Sequence, residues 1–210
     1  MTETMTGQTG ARTADGTPQP VPPAWQSGSL AWQRTDLVGT ELVLAPGSGN
    51  AVVHGTLPYA MEWTATLDGT EVRELTITCK GAGWTRNLGL GRSTDGWSCR
   101  SDESGDAGLP PPGPAGPAAI APDAVPRITD SPIFVTWAIH HLGLTVASGP
   151  VTVPSVRVLV PSLAVVPGTT TYHLVSPNRL RVTGDGPPAT YEVDPAGVVA
   201  YQAGRLRLAR

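Results

Sequence analysis

In Gly83-Trp84-Thr85-Arg86-Asn87-Leu88 an indole and a guanidinium stand two residues apart, the spacing that puts both on one face of an extended strand. Such a pair permits cation–π contact and leaves guanidinium donors for a carboxylate, phosphate or sugar oxygen. Inside a barrel it would form the polar end of a pocket; outside, it would be an ordinary solvated pair. The four histidines, His54, His140, His141 and His173, are the other candidates for acid–base or metal chemistry, and only the middle two adjoin. Neighbours in a strand point to opposite faces, so His140 and His141 are not expected to share a metal, and one buried ring with one solvated ring is the simpler expectation. Glu62, Asp130 and Glu192 are the carboxylates a fold could bring to such a histidine for general-base work.

Other catalytic signatures fail on spacing. Gly89-Leu90-Gly91-Arg92-Ser93-Thr94 lacks the lysine and the glycine spacing of a phosphate loop, and its surroundings favour strand over a helix N-terminus. Gly47-Ser48-Gly49 is one residue short of a nucleophile elbow and reads as a turn. Cys79 and Cys99 belong to no CxxC or CxxH pattern, so neither a zinc site nor a disulfide framework is expected, and a reducing cytoplasm is the simpler setting. No catalytic residue, metal or cofactor is assigned. Enzymatic activity stays open, with the weight against it.

The chain that must position these residues has 25 Gly and 22 Pro in 210 positions, which is hostile to long helices. Its charge is low and slightly acidic, 14 basic against 17 acidic residues, with Lys80 the sole lysine. No concentrated positive field is available to displace counterions from a nucleic acid. Residues 1–24 carry almost no apolar side chains and read as a disordered tail, without the basic start and apolar run of a secretory signal. No apolar run is long enough for a membrane span. Residues 25–210 read as one domain, interrupted by a Pro/Gly-rich loop insertion at about 101–126 that contains PPPGPAGP.

The rest divides into short strands separated by turn signals. Leu42-Val43-Leu44 ends at Ala45-Pro46-Gly47, and Asn50 to His54 ends near Gly55. Thr64 to Leu67, Asp68-Gly69 and Glu71 to Lys80 predict a hairpin, because Asp-Gly supplies the backbone angles of a tight turn. Leu75, Ile77 and Cys79 alternate with polar residues at the period of a half-wet sheet, as do Arg179 to Val182 and Arg205 to Leu208. Val156 to Val166 reads as two strands meeting at a bend at Pro161. Thr129 to Leu144 is unusually apolar; a short helix starting at Pro132 after a Ser cap is one reading, and mostly extended chain is preferred here. Thr64–Thr78 and Thr190–Leu208 share a plan of two alternating arms about an Asp turn, which fits an internal duplication as well as it fits any two hairpins. The fold class expected is all-β: a single antiparallel barrel-like or strongly curved sheet of many short strands.

Three blocks, Tyr59 to Arg86, Asp130 to Leu144 and Pro161 to Tyr201, resemble in order and content the bacterial glycolipid-binding family, lipid-carrier-like proteins of unknown function. The first holds an aromatic, paired strands and the Trp-x-Arg of Trp84 and Arg86; the second ends in a basic pair and Leu, here His140-His141-Leu142. The third carries Thr170-Thr171-Tyr172, Tyr191-Glu192-Val193-Asp194 and Gly197 to Tyr201. The chain departs from the family pattern where His140-His141 replaces a pair more often arginine, which weakens any strong grip on an anionic head group at neutral pH. What the resemblance implies is a barrel-like fold with a cavity and a non-catalytic, ligand-binding role. The expected ligand is an amphipathic molecule, a glycolipid or other lipid, met by Tyr59, Trp63, Trp84, Arg86, Trp97, Trp137, His140, His141 and Tyr172. For each aromatic, core packing is the alternative. Two other readings compete: a hydrolase or isomerase of a small hydrophobic substrate using a histidine in the cavity, and a solid-core protein-interaction module. No nucleic acid and no integral membrane association are expected, the location expected is cytoplasmic, and oligomeric state is left open.

Overall fold

The computed structural model describes residues 28–44, 47–116 and 119–209. The tail anticipated over residues 1–24 lies outside the described residues, as does Ala45-Pro46 of the first turn. Seven strands form an antiparallel meander in chain order: β1 Ser29–Arg34, β2 Val38–Leu44, β3 Ser48–His54, β4 Tyr59–Asp68, β5 Glu71–Gly81, β6 Trp84–Ser93 and β7 Gly96–Ser104. After the short β8 Gly113–Pro114 and β9 Val125–Ile128 comes a second meander of β10 Pro150–Leu159, β11 Ala164–Ser176, β12 Arg179–Gly184, β13 Gly186–Val193, β14 Val199–Gln202 and β15 Leu206–Ala209. β1 joins the two, pairing antiparallel with β2 on one side and β15 on the other. β9 and β8 add in parallel to β10 and β11, so the sheet is mixed.

Local sequence accounts for most of these boundaries. The turn joining β4 to β5 is Gly69-Thr70, one residue beyond the Asp-Gly expected, because Asp68 still pairs with Glu71; Gly69 sits at φ +62, where a side chain is strained. β10 and β11 meet around Pro161 as anticipated. Along β6 the burial alternates from Trp84 onward, so Trp84 and Arg86 do share one face, and both are buried. Ser101–Ser104 extend β7 into the Pro/Gly-rich segment, and Val125 already belongs to β9.

The sheet is strongly curved but not closed. Arg86 of β6 donates to the carbonyl of Ser162, between β10 and β11, at 2.9 Å, although these strands lie toward opposite ends of the strand order. Yet β7 and β9, the ends of that order, do not pair. The edges are therefore blunted by composition instead of closure. β7 exposes Arg100, Asp102 and Glu103, and β9 is four residues long with Pro126 inside it.

The mostly extended reading of Thr129 to Leu144 is corrected: Pro132–His141 is an α-helix, α1. Its β-branched and aromatic residues favour strand by propensity, but Pro132 at the first turn is pre-set for a helix. Gly143 at φ +55 ends it, its N–H donating to the carbonyl of His140 at 3.2 Å. Every residue from Pro132 to Ile139 is buried, the condition of a helix apolar on all sides. α1 fills the space inside the curl. Phe134, Trp137 and Trp63 of β4 form an edge-on triad with ring centroids 5.0–5.6 Å apart. On the other meander, Thr136 Oγ1 accepts from the backbone N–H of Val199 at 3.1 Å, while Trp32 Nε1 donates to the carbonyl of the same residue at 2.7 Å. α1 thus pins the two meanders to one core.

Candidate functional site

The helix stop creates the largest opening among the described cavities. A cleft of about 410 Å³ lies beyond the C-terminal end of α1, within the range of small-molecule sites. Ile139, Leu144, Leu174 and Val193 give it apolar walls, and His140, Thr145 and Asp194 are its polar side chains. The other described cavities measure about 10, 20 and 40 Å³, space for a few waters at most.

His140 is held tightly here. A Cβ on Gly197, itself at φ +78, would fall 2.6 Å from His140 Nε2, so the β13–β14 turn passes over the imidazole only because position 197 is glycine. Burial lowers the His140 pKa, opposed by a hydrogen bond that the imidazole donates to the backbone carbonyl of Ala196 and by the charge of Asp194. Asp194 Oδ1 in turn accepts from the N–H groups of Ala196 and Val198, both at 2.9 Å, so this carboxylate is engaged in shaping the turn. The carboxylate placed beside the histidine is therefore Asp194, not Glu62, Asp130 or Glu192. His141 points elsewhere: it is exposed and lines the 10 Å³ pocket with Arg92 and Trp137. In a helix, adjacent residues stand about 100° apart, which separates the two rings much as a strand would.

A second polar centre lies at the opposite end of α1, on a residue the sequence reading did not single out. Glu41 of β2 points inward with Val43, while Val38, Leu42 and Leu44 point out. Its Oε1 accepts from Trp63 Nε1 at 3.2 Å and from the hydroxyl of Ser131, the residue ahead of α1. Its Oε2 is buried with no partner. Burial raises the Glu41 pKa to about 7 against those two hydrogen bonds. Burial also raises the pKa of the Tyr59 phenol, which shares the 20 Å³ cavity. Nearby, Asp130, at φ +65, is gripped by Arg34 at 3.1 Å and Arg205 at 2.6 Å. These ion pairs fix where the chain enters α1. The reversed pattern of β2, leucines out and glutamate in, hid Glu41; its register against Trp32 is the pairing that brings the strand's polar side under the core.

Arg86 is committed to architecture. Its guanidinium donates to the carbonyls of Pro110, Ser162 and Leu109 and pairs with Glu103 at 2.8 Å. It clamps the Pro/Gly-rich segment and the β10–β11 turn onto β6. Trp84 packs over Gly81, Trp97 lies under Arg92 at 5.9 Å, and Tyr172 is fully buried on β11. Of the nine residues singled out in the sequence, Tyr59 and Trp63 gather around Glu41, Trp137 joins Trp63 in the triad, and His140 alone lines the large cleft. Cys79 and Cys99 are free thiols on β5 and β7, with β6 between them. Among the described residues no three His, Cys, Asp or Glu side chains converge as a metal site.

An open, strongly curved sheet with a helix plugging its interior defines a class of all-β protein, here with a cleft at the plug's end. The chain belongs to the family described as "Putative glycolipid-binding", whose model matches residues 29–207. Among solved structures it is similar to a DUF1089 family protein from Pseudomonas aeruginosa, at 17% identity and a TM-score of 0.58 over 96% of this chain and 97% of that one, a likeness of fold. A comparison with curated proteins found no match.

Proposed function

We propose that the protein is a non-catalytic, cytoplasmic binder of an amphipathic molecule of the lipid or glycolipid class, and that the ligand's apolar part occupies the cleft at the C-terminal end of α1. The observation that carries this reading is the contrast in space: about 410 Å³ beside His140 against 10–40 Å³ in the other described cavities. Ile139, Leu144, Leu174 and Val193 would take a chain out of water, with roughly 25 cal/mol gained per Å² of apolar surface buried. The imidazole of His140 and the backbone of the 194–197 turn would meet the polar end. The family's description supports the ligand class, and the two free cysteines suit a reducing compartment. Among the described residues no helix is long and apolar enough to cross a membrane.

Native mass spectrometry of the freshly purified chain, followed by solvent extraction, tests the proposal. A stoichiometric amphiphile is the expected result. A bare protein mass that stays bare after incubation with octyl glucoside and dioctanoyl phospholipids would overturn it.

A further inference from the structure

Arg127 of β9 and Arg157 of β10 are direct partners in the parallel ladder, so two guanidiniums project side by side from one face of the sheet. Like charges so placed repel, and a carboxylate normally relieves them. Among the described residues neither arginine has one within ion-pair distance. Arg157 donates Nη2 to the backbone carbonyl of Asp185 at 2.9 Å, and Arg127 Nε is buried with no partner at all. A buried guanidinium N–H left unpaired is costly, which points to a missing acceptor.

Both side chains line a pocket of about 40 Å³, distinct from the cleft at α1. The pocket is polar and shaped. Thr170 and Ser155 contribute buried hydroxyls, hydrogen-bonded to each other at 2.8 Å, each with capacity left for a further partner. A Cβ at Gly186 would fall 2.3 Å from Arg157 Nη1, so glycine there leaves room for the guanidinium. The pocket's one carboxylate, Asp185, accepts from the N–H of Thr169 at 3.3 Å. Thr169, Gly184 and Pro187 on the rim are exposed, so the pocket reaches solvent. Tyr172, two residues from Thr170 on the same face of β11, carries a second buried polar atom without a partner, its hydroxyl.

We infer that this pocket is an oxyanion site for a phosphoryl group, held between the Arg127 and Arg157 guanidiniums with the Ser155–Thr170 hydroxyls beneath. Two guanidiniums provide the planar donor forks that match phosphate oxygens, and the volume admits a single small group. The source is free phosphate or a phosphate ester. Thr170 here and Leu174 of the cleft lie on one face of β11 with the fully buried Tyr172 between them, so the two spaces are separate.

Calorimetric titration of the full chain with sodium phosphate at constant ionic strength tests the site. Saturable binding is expected, weakened at least tenfold in both Arg127→Gln and Arg157→Gln and unchanged in Arg181→Gln, an exposed β12 arginine. A phosphate-dependent rise in melting temperature, lost in the same two variants, is the parallel readout. Arg157→Gln keeps the test decisive if the more enclosed Arg127 variant unfolds. Dioctanoyl phosphatidic acid separates the sources: tighter binding than inorganic phosphate assigns the site to a lipid head group, and equal binding assigns it to the free anion. Ala196→Trp, placed to fill the cleft, should leave the phosphate isotherm intact, so failure of the lipid reading does not carry this one with it. No saturable phosphate binding, or binding equally strong in both arginine variants, would overturn the inference.

Discussion

The hydroxyl of Ser131 donates to Oε1 of Glu41, tying the residue ahead of α1 to the inward face of β2. Ser131 therefore does not cap its own helix with its side chain. The entry to the helix is set by a buried carboxyl group, and the core depends on that group's protonation.

The Glu41 pKa of about 7 stands above its ordinary 4.5, so the folded chain holds this proton more tightly than the unfolded chain. The associated stability is complete below the unfolded value and is lost as pH rises through the folded one. At about 1.4 kcal/mol per unit the loss is on the order of 3 kcal/mol. Glu41→Gln keeps an acceptor for Ser131 and Trp63 and removes the ionisation. Urea unfolding of both chains at pH 5 and pH 8 should show the variant gaining on the native protein at the higher pH. A constant difference between the two pH values would mean that Glu41 does not carry this proton.

Arg86 bridges three backbone carbonyls, and removing it leaves that of Ser162 buried without its donor. Arg86→Met should cost about 1–3 kcal/mol, the cost of one unsatisfied buried acceptor. The same variant, measured at a temperature where it is folded, should bind octyl glucoside with native affinity. A selective loss of affinity at native stability would return Arg86 to the ligand site.

The thiols should differ in reactivity. Cys79 is wholly buried, and burial pushes its pKa up to about 12; Cys99 is partly exposed, with its pKa also raised by burial. Iodoacetamide at pH 8 should label Cys99 slowly and Cys79 only on unfolding, as read by peptide mass mapping. Rapid labelling of Cys79 in the native chain would show that the β4–β6 region opens readily.

Phe134→Ala removes one ring of the triad that seats α1 against β4, and should cost about 3–5 kcal/mol as a buried aromatic deletion. Because α1 also carries His140, the loss should extend to amphiphile binding near the melting temperature. A variant with native stability would show that the triad is not what holds the helix.

The strands were legible where one face is wet, because alternation such as Leu75, Ile77 and Cys79 against Thr76, Thr78 and Lys80 records which face is dry. That record vanishes in Pro132–Ile139, buried on every side, where strand-favouring residues form a helix because the curl needs a plug. Gly143 was the local sign that a helix ends there. Trp84 and Arg86 fell on one buried face as their spacing implies, but spacing says nothing about who receives a guanidinium's donors; here backbone carbonyls from distant loops do. The cleft was only partly legible. His140 stood out by type, whereas Leu174 and Val193 reach it through pairings of β11 and β13 that no local pattern encodes.

The central claim is the location of the ligand, and photo-crosslinking reads it directly. An alkyl glucoside carrying a diazirine at the chain terminus, irradiated with the full chain and mapped by peptide mass spectrometry, should label residues 139–145 and 193–197, and Ala196→Trp should abolish that labelling. Labelling confined to other segments, or undiminished in Ala196→Trp, would contradict the account.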